Sequence, residues 1–172
     1  MCAPVAPVAV LDTNVVLDWL VFDNPDCAPL ARAILERRVR WVATPAMRAE
    51  LAHVLGRGHL DRWQPDLAAV WSAWEQHCEN QDVFPRVRAL QGLRCSDPDD
   101  QKFIDLAVAM RAGWLLTRDR AVLRLARRLA THGVAAMPPG RWSGHAEPDG
   151  GPTLAPSDSL GSPGRQGRPG QP

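Results

Sequence analysis

Four acidic residues, Asp12, Glu50, Asp100 and Asp119, stand where they could share one site. Asp12 closes the apolar run Val8-Ala9-Val10-Leu11, which reads as a strand buried on both faces. Asp119 follows a second buried run, Trp114-Leu115-Leu116-Thr117. Open α/β sheets place their sites just past the carboxyl ends of such strands. Glu50 falls near the start of a helix, and Asp100 in the first turn of another; a helix N-terminus can be brought over the same sheet edge. Carboxylates gathered in this way repel one another, and a divalent cation relieves the repulsion. An all-oxygen donor set favours Mg²⁺ or Mn²⁺ over zinc. The chemistry that follows is phosphodiester hydrolysis, in which the metal polarises the phosphoryl group, activates a water and stabilises the leaving oxygen.

Each acid also has a purely structural use. Asp12 and Asp119 are good N-caps for the helices after them. Glu50 has Arg48 beside it and could lie on a helix surface. Asp97 and Asp100 have the spacing of a capping box. Asp99 is a favourable charge at a helix start. Asp105 lies five residues past Asp100, about 140° round a helix, so it faces the rim of such a site rather than the ion. No histidine pair has metal spacing, and His53, His59, His77 and His132 read as surface or core residues.

The elements that must position these residues alternate strand and helix. After Asp12-Thr13-Asn14 a helical pattern runs from Val15 to Phe22, broken by Asp23-Asn24-Pro25. A second helix spans Ala28 to Arg38, then a strand Arg40 to Thr44. Thr44 and Pro45 make a cap and first residue for the helix carrying Glu50, which ends near Gly56 and Gly58. Leu60 to Trp63 makes a short helical turn. Pro65 to Glu79 is a helix in which Trp71 and Trp74, at helical spacing, belong to the core. Asp82-Val83-Phe84 is expected as a short strand and Arg86 to Cys95 as a connecting loop. A helix covers Asp99 to Ala112, stopped by Gly113, and another covers Asp119 to His132, stopped by Gly133. Val134 to Met137 is a last strand. The alternation predicts an α/β chain with a mainly parallel central sheet between two helical layers. From Ser143 onward Gly, Pro and Ser dominate, so residues 1–142 are expected as the domain and 143–172 as a disordered tail.

At 172 residues with 45% apolar content, the chain is long enough for one domain with a sizeable core. A formal net charge of +1 gives no overall basic field. The charge is uneven, however: Arg111, Arg118, Arg120, Arg124, Arg127 and Arg128 follow a stretch holding Asp97, Asp99, Asp100 and Asp105. An acidic centre beside a basic flank suits a polyanion cut at a metal site, with Arg118 and Arg120 nearest the cut; the plainer use of most of these arginines is a solvated helix face. Cys2, Cys27, Cys78 and Cys95 are scattered without metal spacing and are expected as reduced thiols of a cytoplasmic protein. No stretch is long and apolar enough to span a membrane, and the N-terminus has no signal-type pattern.

Val10-Leu11-Asp12-Thr13-Asn14-Val15, Pro45 to Leu51 with Glu50, Asp97 to Ala107, and Leu116-Thr117-Arg118-Asp119 occur in an order and spacing that resemble the motifs of PIN-domain ribonucleases. The nearest likeness is to the branch described as toxins of toxin–antitoxin systems, and it covers Val8 to Pro138. The resemblance implies an α/β/α sandwich and metal-dependent RNA cleavage. It implies Asp12, Asp100 and Asp119 as ligands of Mg²⁺ or Mn²⁺ and Glu50 as a further catalytic acid. Asn14 and Thr117 match the small polar residues that orient ligands or substrate, as second-shell contacts do at metal sites. Expected partners are an RNA substrate, a cognate antitoxin protein and a second copy of the chain, with no membrane.

Two other readings stay open. One is a binding module that holds RNA or a protein on the same fold without cutting; the complete acidic set weighs against it. The other is a phosphatase with an aspartate nucleophile after the first strand. That chemistry wants a second Asp two residues on, where this chain has Asn14.

Overall fold

A computed structural model describes residues 5–82 and 92–144. Five strands form one sheet: β1 (Val8–Leu11), β2 (Arg40–Ala43), β3 (Cys78–Asn80), β4 (Trp114–Leu116) and β5 (Ala135–Met137). The order is β3-β2-β1-β4-β5, and every pairing is parallel. The helices are α1 (Thr13–Leu20), α2 (Ala28–Leu35), α3 (Pro45–Leu55), α4 (Leu67–His77), α5 (Gln101–Ala109), α6 (Arg120–Leu123) and α7 (Ala126–Ala130). This is the α/β architecture expected from the alternation of apolar runs. The chain steps outward from β1 through β2 to β3, then returns to the other side of β1 with β4. The order therefore reverses between β1 and β4, and the crevice past their carboxyl ends is the favoured place for a site in such a sheet.

The central strands are apolar throughout because both faces are covered. Ala9, Val10, Leu115 and Leu116 are fully buried. Trp41 on β2 anchors one face, packed between Trp19 of α1 and Trp74 of α4 at ring separations of 5.6 and 4.9 Å. Trp74 is core, as its spacing predicts. Trp71 is half-buried, set edge-on to Trp74 at 6.3 Å with the Arg48 guanidinium 4.7 Å from its ring centre. On β4, across β1 from β2, Trp114 meets Trp142 at 5.5 Å, so the packed domain reaches at least that far.

Several bounds differ from expectation. The helix after β2 has the expected cap: Thr44 Oγ1 accepts from the Met47 amide at 3.3 Å. By contrast α2 stops at Leu35, three residues short, and Arg37 takes a left-handed φ of 57° to turn the chain into β2. α4 ends at His77 and runs straight into β3, so the third strand is Cys78–Asn80. Val83 and Phe84, expected in that strand, lie outside the described residues, as do Cys2 and residues 145–172 of the expected tail. The helix expected over Asp119 to His132 is two pieces, α6 and α7. Arg124 and Leu125 between them keep right-handed helical angles, and Leu125 N–H bonds the Val122 carbonyl at 2.9 Å, three residues back, which tightens the turn.

Candidate active site

Asp12 and Thr117 are neighbours across the sheet switch. Leu11 is in register with Leu116, and the Asp12 amide continues the ladder by donating to the Leu116 carbonyl at 2.9 Å. The two residues just past the strands thus sit side by side. Asp12 is only 3% exposed and Thr117 is fully buried. Asp12 occupies the N-cap position of α1, yet its carboxylate makes no capping bond. Instead Asp12 Oδ2 accepts from the Thr117 hydroxyl at 2.7 Å. The same hydroxyl accepts from the Asp119 amide at 2.9 Å. Thr117 therefore aims one acid and fixes the backbone of another. Asp119 does cap its helix: Oδ1 accepts from the amides of Ala121 and Val122 at 2.5 and 3.3 Å.

Glu50 approaches from α3. Its Oε1 accepts from the Thr13 hydroxyl at 2.7 Å, which ties α3 to the turn after β1. Its Oε2 is paired with the ammonium of Lys102 on α5. Lys102 also donates to the Asp99 carbonyl. Asp100 ends a 3₁₀ turn, Pro98–Asp100, whose cap is Asp97: Asp97 Oδ1 accepts from the Asp99 amide at 2.9 Å. The capping box expected between Asp97 and Asp100 is thus carried by Asp97 alone. No hydrogen bond or ion pair holds the Asp100 carboxylate among the described residues.

The electrostatics show that these acids feel one another. Burial, above all, pushes the Asp12 carboxyl above the ordinary aspartate range; the Thr117 hydroxyl and, less, the nearby Asn14 amide, which falls short of a capping bond, oppose this, and the charges of Glu50 and Asp119 add to it. Asp100 is pushed up to about 7, first by desolvation and then by the charges of Asp12, Asp119, Asp97 and Glu50. Such unrelieved negative charge is what a bound divalent cation neutralises. The donors are carboxylates, the kind Mg²⁺ and Mn²⁺ accept, so the residues fit such an ion in type. In position they stand apart: among the described residues no three Asp, Glu, His or Cys side chains are already grouped closely enough to hold a metal. Asp12, Asp100 and Asp119 would have to draw together around it.

The remaining expected residues fall in different places. Asn14 is exposed on the first turn of α1. Asp105 turns to Gln101, accepting from its Nε2 at 2.8 Å. Gln101 in turn binds the Leu93 carbonyl and the Cys95 amide at 3.1 and 2.8 Å. Asp105 thereby braces the segment that leads into Asp100 rather than facing the other acids. Arg118 points to α1 and the turn after it: Nε lies 2.7 Å from Asp18 Oδ2, off line for a hydrogen bond, and Nη2 donates to Asp26 at 3.4 Å. Arg120 is exposed. A cleft lined by Ile34, Arg40, His77 and Glu79 opens at the amino-terminal edge of the sheet, the end opposite the acids.

Sequence reasoning missed Lys102 and Thr13. A signal for Lys102 existed: it is the only lysine in the chain, every other cationic side chain at neutral pH being an arginine. Thr13 had none beyond its place between Asp12 and Asn14.

Comparison with known proteins bears on the fold and the family. No curated protein matches the sequence. A solved chain from the crystal structure of VapBC2 from Rickettsia felis bound to a DNA fragment from their promoter shares the fold. That match has a TM-score of 0.50 and 16% identity, and covers 75% of this chain and 98% of the other. The model of the PIN domain family matches residues 8–121, from the first residue of β1 to just past Asp119. That match takes in all four acids, the sheet switch and Thr117, and the chain belongs to the PIN domain family.

Proposed function

We propose that this chain is a Mg²⁺- or Mn²⁺-dependent endoribonuclease and the toxin of a toxin–antitoxin pair. The observation that carries the reading is the set of carboxylates at the sheet switch. Asp12 is buried without a cation, and Asp100 is raised by its acidic neighbours. Asp12, Asp100 and Asp119 would hold the ion, with Glu50 as the fourth acid. When bound, the ion would polarise the phosphodiester and activate a water. The chain's own part is alignment. Thr117 fixes the direction of Asp12 and the backbone of Asp119. Thr13 holds one oxygen of Glu50. Gln101 and Asp105 steady the approach to Asp100.

RNA would run past Arg120 and Arg118 on its way to the ion, since guanidinium groups hold phosphates through paired hydrogen bonds. Arg118 would exchange the exposed, longer contact to Asp26 for a phosphate while keeping Asp18. The toxin role rests on the motif resemblance and on the neighbouring fold, a chain from the VapBC2 structure of Rickettsia felis. An antitoxin protein and a second copy of the chain are the partners this role calls for, in the cytoplasm. No helix among the described residues is long and apolar enough to cross a membrane.

The competing reading is a module that binds RNA without cutting it. The observation in its favour is that Lys102 already neutralises Glu50 and the acids are not grouped at ligand distance. Cleavage of single-stranded RNA by wild type and by Asp12→Asn and Asp100→Asn separates the two. The nuclease reading expects Mn²⁺-dependent cutting that both variants lose while circular dichroism shows them folded. Cutting that persists in both variants overturns the assignment of these acids.

A further inference from the structure

Of Asp12, Glu50, Asp100 and Asp119, Glu50 alone has a cation of its own among the described residues. Glu50 has the chain's single lysine, set across from it between α3 and α5. Both oxygens of Glu50 are taken, one by Thr13 and one by Lys102. The pair is only partly covered, at 25% and 30% side-chain exposure, so water and ions can reach it. The choice of residue is also informative. Arginine holds a carboxylate with a two-pronged, pre-shaped fork, whereas lysine is a compact point charge on a flexible stem. In a chain that otherwise uses arginine throughout, the one lysine sits where a small, releasable positive charge faces a carboxylate beside a cluster built of carboxylates.

We infer that Lys102 is a positioning residue that serves as the built-in counter-cation of the metal-free site, holding Glu50 until a divalent ion takes its place. The inference rests on the metal reading of the acidic cluster. In the metal-free protein Lys102 offsets part of the Glu50 charge that adds to the repulsion at Asp12 and Asp100. A divalent ion attracts Glu50 more strongly, and the lysine swings away into solvent. The ion and Lys102 therefore compete for Glu50, and the competition lowers the site's metal affinity.

The test is Mn²⁺ binding by calorimetry to wild type, Lys102→Met, Lys102→Arg, Glu50→Gln and the Lys102→Met/Glu50→Gln double variant. Methionine keeps the stem's packing and removes the charge. Lys102→Met should bind Mn²⁺ about two- to fivefold more tightly, the scale of a partly exposed ion pair. The gain should vanish in the Glu50→Gln background, because the competition runs through that carboxylate. Lys102→Arg, which keeps the charge, should bind no more tightly than wild type. Lys102→Met should also lower the melting temperature of the metal-free protein and lose that deficit at saturating Mn²⁺. Mn²⁺ uptake by wild type with unchanged or weaker affinity in Lys102→Met overturns the inference and leaves the metal reading standing. A gain of equal size with Glu50→Gln overturns it in favour of simple charge repulsion at a distance. If neither wild type nor Lys102→Met takes up Mn²⁺, both readings fall.

Discussion

Thr117 Oγ1 donates to Asp12 in a buried bond and accepts from the half-buried Asp119 amide. Thr117→Val keeps the shape and removes the hydroxyl, leaving a buried carboxylate and an amide without their partner. The expected cost is about 1–3 kcal/mol, read as a lower denaturation midpoint, together with weaker Mn²⁺ binding; Thr117→Ser should recover most of both. Equal stability of Thr117→Val and wild type would show that the hydroxyl aligns nothing. Asp100 gives a pH signature. Its folded value of about 7 lies above the unfolded aspartate value of about 3.9. Between the two the folded, metal-free protein holds a proton that the unfolded chain has released. Stability is therefore highest on the acid side and declines as pH rises toward 7. Asp12 is shifted in the same direction and adds to the trend. The metal-free melting temperature should fall from pH 5 to pH 8, and Asp100→Asn should flatten much of that slope; an unchanged slope in the variant would place the proton elsewhere.

Elements with strong local signals were legible from sequence, and weak ones were not. β1 and β4 are unbroken apolar runs because both faces are covered, and α3 announces itself with Thr44-Pro45. β3 carries no such signal. Cys78-Glu79-Asn80 is an edge strand, mostly exposed, that follows α4 with no turn residue between. Its place is set by the ladder to β2 and by the bidentate Arg40–Glu79 pair at 2.9 and 2.5 Å, contacts that only the fold brings together. The site divides in the same way. Asp12, Asp100 and Asp119 stand at element boundaries that sequence marks, and Glu50 lies inside the helix that Thr44-Pro45 announces, so their places in the fold were readable. Lys102 and the partners of Arg118 were not, since Glu50, Asp18 and Asp26 are distant in sequence. Arg118 now calls for separate treatment from Arg120. With cleavage blocked by Asp12→Asn, Arg120→Ala should weaken RNA binding and reduce its salt slope by about one. Arg118→Ala should do the same and also lower the melting temperature, because it leaves the half-buried Asp18 unpaired. Unchanged slopes in both would move the RNA path away from this edge. In the sheet, Trp41→Ala removes the ring between Trp19 and Trp74, at an expected cost of about 3–5 kcal/mol by chemical denaturation.

At the scale of the whole molecule, the reversal of strand order between β1 and β4 explains why residues as distant in sequence as Asp12 and Asp119 come to the same edge of the sheet. The near-neutral net charge of +1 leaves RNA attraction to local arginines rather than to a general field, so binding should be sensitive to single substitutions. Residues 145–172 are rich in Gly, Pro and Ser and offer almost no core residues; a chain ending at Gly144 should melt and cleave as the full chain does. The central claim is that the acids at the sheet switch act through a divalent ion. Its most direct measurement is the cleavage rate of single-stranded RNA by purified full-length protein with Mn²⁺ or Mg²⁺, with excess EDTA, and with EDTA followed by added Mn²⁺. The account predicts cleavage with the ion, none in EDTA and full recovery on readdition, with Asp12→Asn inactive throughout. Cleavage at the same rate in EDTA, by wild type and Asp12→Asn alike, would contradict it.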